Sequence, residues 1–300
     1  MRLTLAGRQS LTKLFPLTET NVRFAPEIVN VKDWLGGKKT NRSLKLHADD
    51  DQRLSCSYTV TVNNSGNYEI LDQEGQALLG LPIIFGGEQD SVEAIVGILN
   101  HISRFKFVEN IENRIADASF KQRFTIHMEG PHGHIQEGVG VFNVNNSERV
   151  KVVVHNHGSN VLYAYVYNLS SSWGVMNVFG GANHWSIPPK NDMKKHTGRE
   201  VGEFEMFVPN HFKERNYLRC RDIFKIFLTS RPIPFTSLQM AALCGPDSKR
   251  TDTVRGSHPD VINLLLGIEP SSRGSGTKAL IEEWTSHNFV VHTVYDKESS

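Results

Sequence analysis

The sequence predicts an α+β chain of two units: a small sheet with one covering helix, then an antiparallel β-sandwich with a C-terminal helical and strand tail. Two patterns and the composition predict it. Short runs with an apolar residue at every second position recur along the chain, which is the period of half-buried strands. Only one long stretch, Ser91 to about Phe105, keeps the 3.6-residue period of a helix. Of the 300 residues 39% are hydrophobic and 22% charged, enough to pack cores in two ordinary domains of roughly 100–200 residues each. The polar stretch Asn110–Ser119 is read as the link, so residues 1–118 form the first unit and 119–300 the second.

Taken in order, Tyr58, Val60 and Val62 alternate with Ser57, Thr59 and Thr61 in a strand over Cys56–Val62. Asn63–Asn67 supplies a turn, since Asn and Gly tolerate positive φ, and Tyr68–Leu71 returns as the second strand of a hairpin. In the helix, Val92, Ile95, Val96, Leu99 and Ile102 fall on one face. Asp90 stands where it can cap the first amides, with Glu93 at the capping-box position. From Arg123 short strands follow one another: Phe124, Ile126 and Met128 alternate with polar residues, then come Val139–Val144, Val150–His155 and Val161–Asn168. Gly174–Phe179, Trp185–Ile187, Glu203–Val208 and Ile223–Thr229 continue the series, with Lys190–Glu200 as a polar loop. Strands this short and this closely spaced indicate a sandwich or small barrel. Beyond Pro246 two short helices are expected, Val261–Leu266 (capped by Ser257 or Asp260) and Lys278–Trp284, then a final strand, Phe289–Val294.

Composition excludes several functions. The net charge is +1, and Lys38-Lys39 and Lys194-Lys195 are isolated pairs, so no electrostatic footprint for nucleic acid or anionic membrane is present. Cys56, Cys220 and Cys244 are three, far apart and in no CxxC pair, which is neither a disulfide framework nor a zinc motif. A reducing interior suits them. No apolar run reaches the ~20 residues a spanning helix needs. Residues 1–18 hold Arg2, Arg8 and Lys13 among leucines with no acid; this is read as an ordinary amphipathic terminus and the chain is placed in the cytoplasm, a mitochondrial presequence being the minor alternative.

Each candidate for chemistry is incomplete. His132/His134 and His155/His157 are His-x-His pairs that a strand would set on one face, able to share a metal on a small barrel. Glu137 comes one residue early for the cupin-like spacing, and Pro131–His134 reads as a turn. The second pair follows Val152–Val154 in the manner of a caspase-like strand ending in His-Gly, where a cysteine thiolate needs an imidazole base and amides for the oxyanion. Its partners would be Cys220 or Cys244, neither in an Asp-x-Cys setting. Gly36–Thr40 lacks the spacing of a P-loop, no G-x-S-x-G elbow occurs, and Asp49–Asp51 is a solvated acidic run. No catalytic residue, cofactor or metal is therefore assigned.

Val161–Ser170 with Trp173, Asp222–Pro232 with Phe235, and Trp284 followed by Asn288–Thr293 resemble the C-terminal β-domain of fungal caspase-like (metacaspase) proteins. The resemblance covers about residues 120–295 and extends more loosely over 22–110. It implies an accessory region that recognises a substrate or partner or regulates a peptidase domain, since this sequence has no counterpart of the catalytic His strand or the Asp-x-Cys motif. Within the strand Val161–Asn168, Tyr163, Tyr165 and Tyr167 share one face and Leu162, Ala164 and Val166 the other.

The reading is a non-catalytic recognition or regulatory region that binds a protein partner or a caspase-like peptidase domain. The alternatives are a cysteine peptidase using His157 with Cys220 or Cys244, and a His-liganded metal enzyme. Interface energy concentrates in Trp, Tyr and Arg, so Trp173, Trp185 and Arg231 are expected to gather at one end of the second unit as the partner surface.

Overall fold

The computed structural model describes residues 20–26, 28, 44–48, 55–86, 88, 90–113, 116–133, 135–137, 140–181, 183–233, 235–245 and 283–296. The features noted at residues 1–18, 36–40 and 49–51, the helix expected over 261–266 and residues 278–282 of the helix expected to end at Trp284 lie outside these residues, as do His134 and the side chains of His132 and Glu137. Among the described residues strands predominate and helices are few. The chain divides between Val108 and Glu109 into two compact units.

In the first unit, β1 (Thr20–Phe24), β2 (Leu44–Ala48), β3 (Tyr58–Val62), β4 (Asn67–Leu71) and β5 (Ile84–Phe85) make one sheet in the order β2-β1-β3-β4-β5. The expected hairpin is β3–β4, and its turn is held by Asn63, whose Oδ1 accepts from the backbone N–H of Ser65 and of Asn67 at 3.0 Å each. Gly66 completes the turn at φ 77°, a conformation glycine adopts without a Cβ clash. The sequence reading omitted β1 and β2, which pair in parallel and are five residues each. Helix α1 (Ser91–Asn110) runs past the expected end, because Phe105 and Val108 extend the buried face of Ile95, Leu99 and Ile102. The carbonyl of Asp90 accepts the first helical bond, from Ala94, the part an N-cap carbonyl plays. Ser103 Oγ and Thr20 Oγ1, 3.2 Å apart, join the helix to β1.

The second unit opens with α2 (Ala118–Lys121), β6 (Phe124–Glu129), β7 (Ile135–Glu137), β8 (Gly140–Asn145), β9 (Arg149–Asn156) and β10 (Leu162–Leu169). It continues with β11 (Val175–Asn177), β12 (Trp185–Ile187), β13 (Arg199–Glu205), α3 (Asn210–Lys213), β14 (Arg219–Thr229) and β15 (Trp284–Val294). One sheet has the order β11-β10-β14-β15-β8 with β12 also on β10, and the other β13-β9-β6-β7. Phe224, Ile226, Leu228, Phe289 and Val291 of the larger sheet share one hydrophobic cluster with Phe124, Ile126, Val152, Val154 and Met206, and Phe204 packs against it. The period-two pattern therefore placed the inward side chains correctly.

Four expectations are corrected. The sheets are not wholly antiparallel, since β15 and β8 pair in parallel. The unit boundary precedes 118/119, because Glu109, Ile111 and Asn113 bond along β15. Asn288 Nδ2 donates to Glu109 O at 3.0 Å, Ser286 Oγ to Ile111 O at 2.7 Å, and Asn113 Nδ2 to Trp284 O at 2.8 Å. Trp284 opens a strand instead of ending a helix. Finally, β14 begins at Arg219, four residues before its expected start, and carries two buried charges. Lys225, 1% exposed, donates to Glu109 O (2.9 Å) and Asn288 Oδ1 (3.1 Å) and lies 5.3 Å from the centre of the Phe227 ring. Burial pulls its ammonium down to about 7. Asp222 accepts from the Ser171 N–H at 2.8 Å, and burial pushes its carboxyl up to about 6.

Candidate functional site

The predicted surface does not assemble. β10 and β14 are antiparallel, with Tyr163 facing Thr229 and Leu169 facing Ile223. Trp173, which follows Leu169, and Arg231, which follows Thr229, are consequently at opposite ends of the strand pair. Trp185 faces Ala164, towards the Arg231 end. Its ring lies tilted against that of Phe179, centres 4.9 Å apart, and packs onto the core cluster. It closes over Gly202 so tightly that a Cβ there would come within 2.7 Å of it. Trp173 is half-buried in the Ser170–Gly174 turn at φ 65°.

That turn instead forms one wall of a cleft of about 860 Å³. Ser170 shapes it: its N–H donates to Gly174 O (2.9 Å) and its Oγ accepts from Gly174 N–H (3.1 Å). The segment 240–243 is laced alongside by Val175 and Met240, which exchange both backbone bonds at 2.9 Å, and by Leu243 N–H to Ser172 O at 2.9 Å. A Cβ on Gly174 would lie 3.2 Å from Ala242 N, so the two segments approach as closely as glycine permits. The third wall is the stretch from Phe207 into α3. Met176 and Phe207, 52% and 50% exposed, both line this cleft.

His211 Nε2 and Ser172 Oγ are 3.0 Å apart across the cleft wall, and the other edge of the ring rests on Gly245, where a Cβ would lie 3.2 Å from Nδ1. Burial, then the charge of Arg215, holds this imidazole below its ordinary value. Among the described residues no carboxylate bonds its Nδ1, so the group that orients a serine–histidine base in a triad has no counterpart there. Cys244 lies in the same cleft, and burial pushes its thiol up.

His157 is placed far from either thiol. It follows β9 at the end where His155 faces Arg199, and the cleft lies beyond the other end, where Arg149 faces Glu205. Its Nε2 is 3.0 Å from Thr125 Oγ1. His127, His155 and His157 form a row on one face of the smaller sheet, with ring centres 6.0 Å apart at each step. His127 Nε2 meets Glu129 Oε1 at 3.2 Å, and His155 is held low by burial and then by the charges of Arg199, His127 and His157. Stacked rings so spaced do not turn two nitrogens onto one ion, and no group of three or more metal-ligating side chains is found among the described residues. Nor is any described helix long and apolar enough to cross a membrane.

Cys220, on β14, points its sulfur at Phe207 O, 3.6 Å away. Burial, then the carboxyl of Asp222, pushes this thiol up to about 12. Since the thiolate is the reactive form, Cys220 is expected to resist iodoacetamide in the folded chain and to react on unfolding, as read by intact mass. Rapid labelling of the folded chain at Cys220 would contradict this placement.

The cleft escaped the sequence reading, although Phe207 carried a signal: it is a large apolar residue out of phase with Phe204 and Met206. No protein-family model matches this sequence, and no curated protein matches it.

Proposed function

We propose that the second unit is a non-catalytic recognition module, a β-sandwich whose cleft holds a segment of a partner protein. The carrying observation is that Met176 and Phe207, two of the large apolar side chains exposed among the described residues, stand on the same cleft. Apolar surface gathered in a concavity costs free energy until something covers it. The core cluster fed by both sheets supports the sandwich reading. The raised thiols of Cys220 and Cys244 favour recognition over thiol chemistry. The resemblance to the β-domain of fungal caspase-like proteins supplies a context, with a caspase-like peptidase domain or a protein it acts upon as partner. Three free cysteines accord with a reducing compartment such as the cytoplasm.

Screening randomised displayed peptides against the full chain tests the reading. Enriched peptides are expected to bind the Phe207→Ser variant at least about tenfold more weakly, the loss typical of an interface anchor, at an unchanged melting temperature. Peptides indifferent to Phe207→Ser, or no enrichment at all, would overturn it.

A further inference from the structure

We infer that the open edge of the smaller sheet pairs with a second copy of this chain, β13 against β13 about a two-fold axis at Gly202. The cleft plays no part in this contact. β13 is the last strand on its side of the order β13-β9-β6-β7. Its ladder to β9 runs without a bulge from Arg199 facing His155 to Glu205 facing Arg149. Beyond one end Asn156 N–H donates to Gly198 O at 2.7 Å, and beyond the other Met206 N–H donates to Glu148 O at 2.8 Å. Antiparallel neighbours alternate between bonded and unbonded pairs. The even-numbered residues of β13 therefore turn their backbone groups to β9, and the odd-numbered ones turn theirs away from it.

Both ends of that outward row are closed. Thr197 Oγ1 donates to Arg199 O and accepts from Arg199 N–H, each at 3.2 Å, and Phe207 O accepts from the Cys220 thiol at 3.6 Å. Between them no hydrogen bond reaches the outward N–H and C=O of Val201, Glu203 and Glu205 among the described residues. Open ladder groups invite another strand, and proteins guard them with proline, lysine or a bulge. β13 carries none of the three. Val201 is 36% exposed on it, and Trp185 lies half-buried over Gly202.

The charges choose the occupant. With the axis at Gly202, Val201 faces the partner's Glu203 and Arg199 faces the partner's Glu205. Outward-turned residues then meet each other, so the two Val201–Glu203 pairs exchange four backbone hydrogen bonds while Thr197 keeps its hold on Arg199. The two Arg199–Glu205 pairs set opposite charges across the strands. An axis at Glu203 would set that acid against its own copy, and one at Val201 would need the backbone groups that Thr197 holds. Within one copy these side chains are loosely engaged: Arg199 is 3.9 Å from Glu129, and Arg149 is 3.7 Å from Glu203 and 3.8 Å from Glu205. Exposed pairs of this kind contribute little and can be exchanged. The contact is self-complementary and closes at two copies, and strands of seven residues place it among small, reversible interfaces.

Sedimentation velocity on the full chain is expected to show monomer passing to dimer between about 5 and about 500 µM, with no larger species. Val201→Pro removes an outward N–H and spares the ladder to β9, and it should weaken the dimer at least about tenfold at unchanged melting temperature. Arg199→Glu and Glu205→Arg should each weaken it by about tenfold alone, since each sets like charges at both ends. An equimolar mixture of those two variants should dimerise as tightly as the parent, because every facing pair is again of opposite sign. If Val201→Pro lowers the melting temperature, the mixture decides. A chain still monomeric at about 500 µM would overturn the inference. So would a dimer indifferent to a folded Val201→Pro, which places the contact elsewhere, or a mixture that associates no better than its components, which removes the register. A monomer whose display-selected peptides are lost with Val201→Pro and kept with Phe207→Ser would give the edge to a foreign strand and overturn the second copy.

Discussion

Phe224→Ala is expected to lower the stability of the second unit by about 3–5 kcal/mol, the usual loss for emptying a buried aromatic site. Phe224 is 2% exposed on the central strand β14, its ring 4.9 Å from that of Phe204 and facing Phe289 in register on β15. It therefore touches the partner sheet and its own neighbour strand together. The cavity has little means to close, because backbone ladders fix the strands on both sides of β14. Urea unfolding followed by intrinsic fluorescence measures the change as a fall in midpoint at constant slope. A loss below about 1 kcal/mol would mean that the ring does not sit between the sheets.

The second large effect runs in the opposite direction. Asp222→Asn is expected to stabilise the chain at about pH 7.5 by roughly 1–3 kcal/mol. Burial raises the Asp222 carboxyl from 3.8 to about 6, so the folded state holds its proton more tightly than the unfolded state does. That contribution is complete below 3.8 and disappears as pH rises through about 6, leaving a buried anion above it. Asn keeps an oxygen to accept the Ser171 N–H and carries no charge. His287 works against Asp222 in the same window: burial depresses its imidazole to about 4, so its contribution is present above 6.5 and is lost as pH falls. The informative measurement is thus the difference between variant and parent across pH, which should grow from about pH 4 to about pH 6 and then level. A variant less stable than the parent at neutral pH would show that the carboxylate is held by stronger donors than Ser171 alone.

These two residues also show what could be read without coordinates. Phe224 sits in an unbroken alternation with Ile226 and Leu228, and the inward face of β14 was legible for that reason. Asp222 and Lys225 lie in the same strand, yet polarity marked the start of β14 as loop, because a buried charge has no signature until its hydrogen-bonding partners are known. β1 and β2 were missed because parallel partners come from distant segments and leave no turn between them. The strand upstream of Trp173 and the strand upstream of Arg231 were both recognised. Their antiparallel pairing was not, and that alone decides that the residues following them part company. Met176 and Phe207 line one cleft beside the bridge of Val175 to Met240, a tertiary event that neighbouring letters do not encode.

The position of β15 has a consequence for biogenesis. It follows every other described strand in the sequence, yet it lies inside its sheet between β14 and β8, and β8 has its place in the order only beside β15. A nascent chain leaving the ribosome must carry β8 without its neighbour until residues 284–294 emerge. This unit accordingly folds after translation of the whole segment rather than strand by strand, with the slow kinetics of non-local pairing. A premature stop upstream of Trp284 would expose the flanks of β14 and β8 together, a pair of open edges that favours aggregation over partial function.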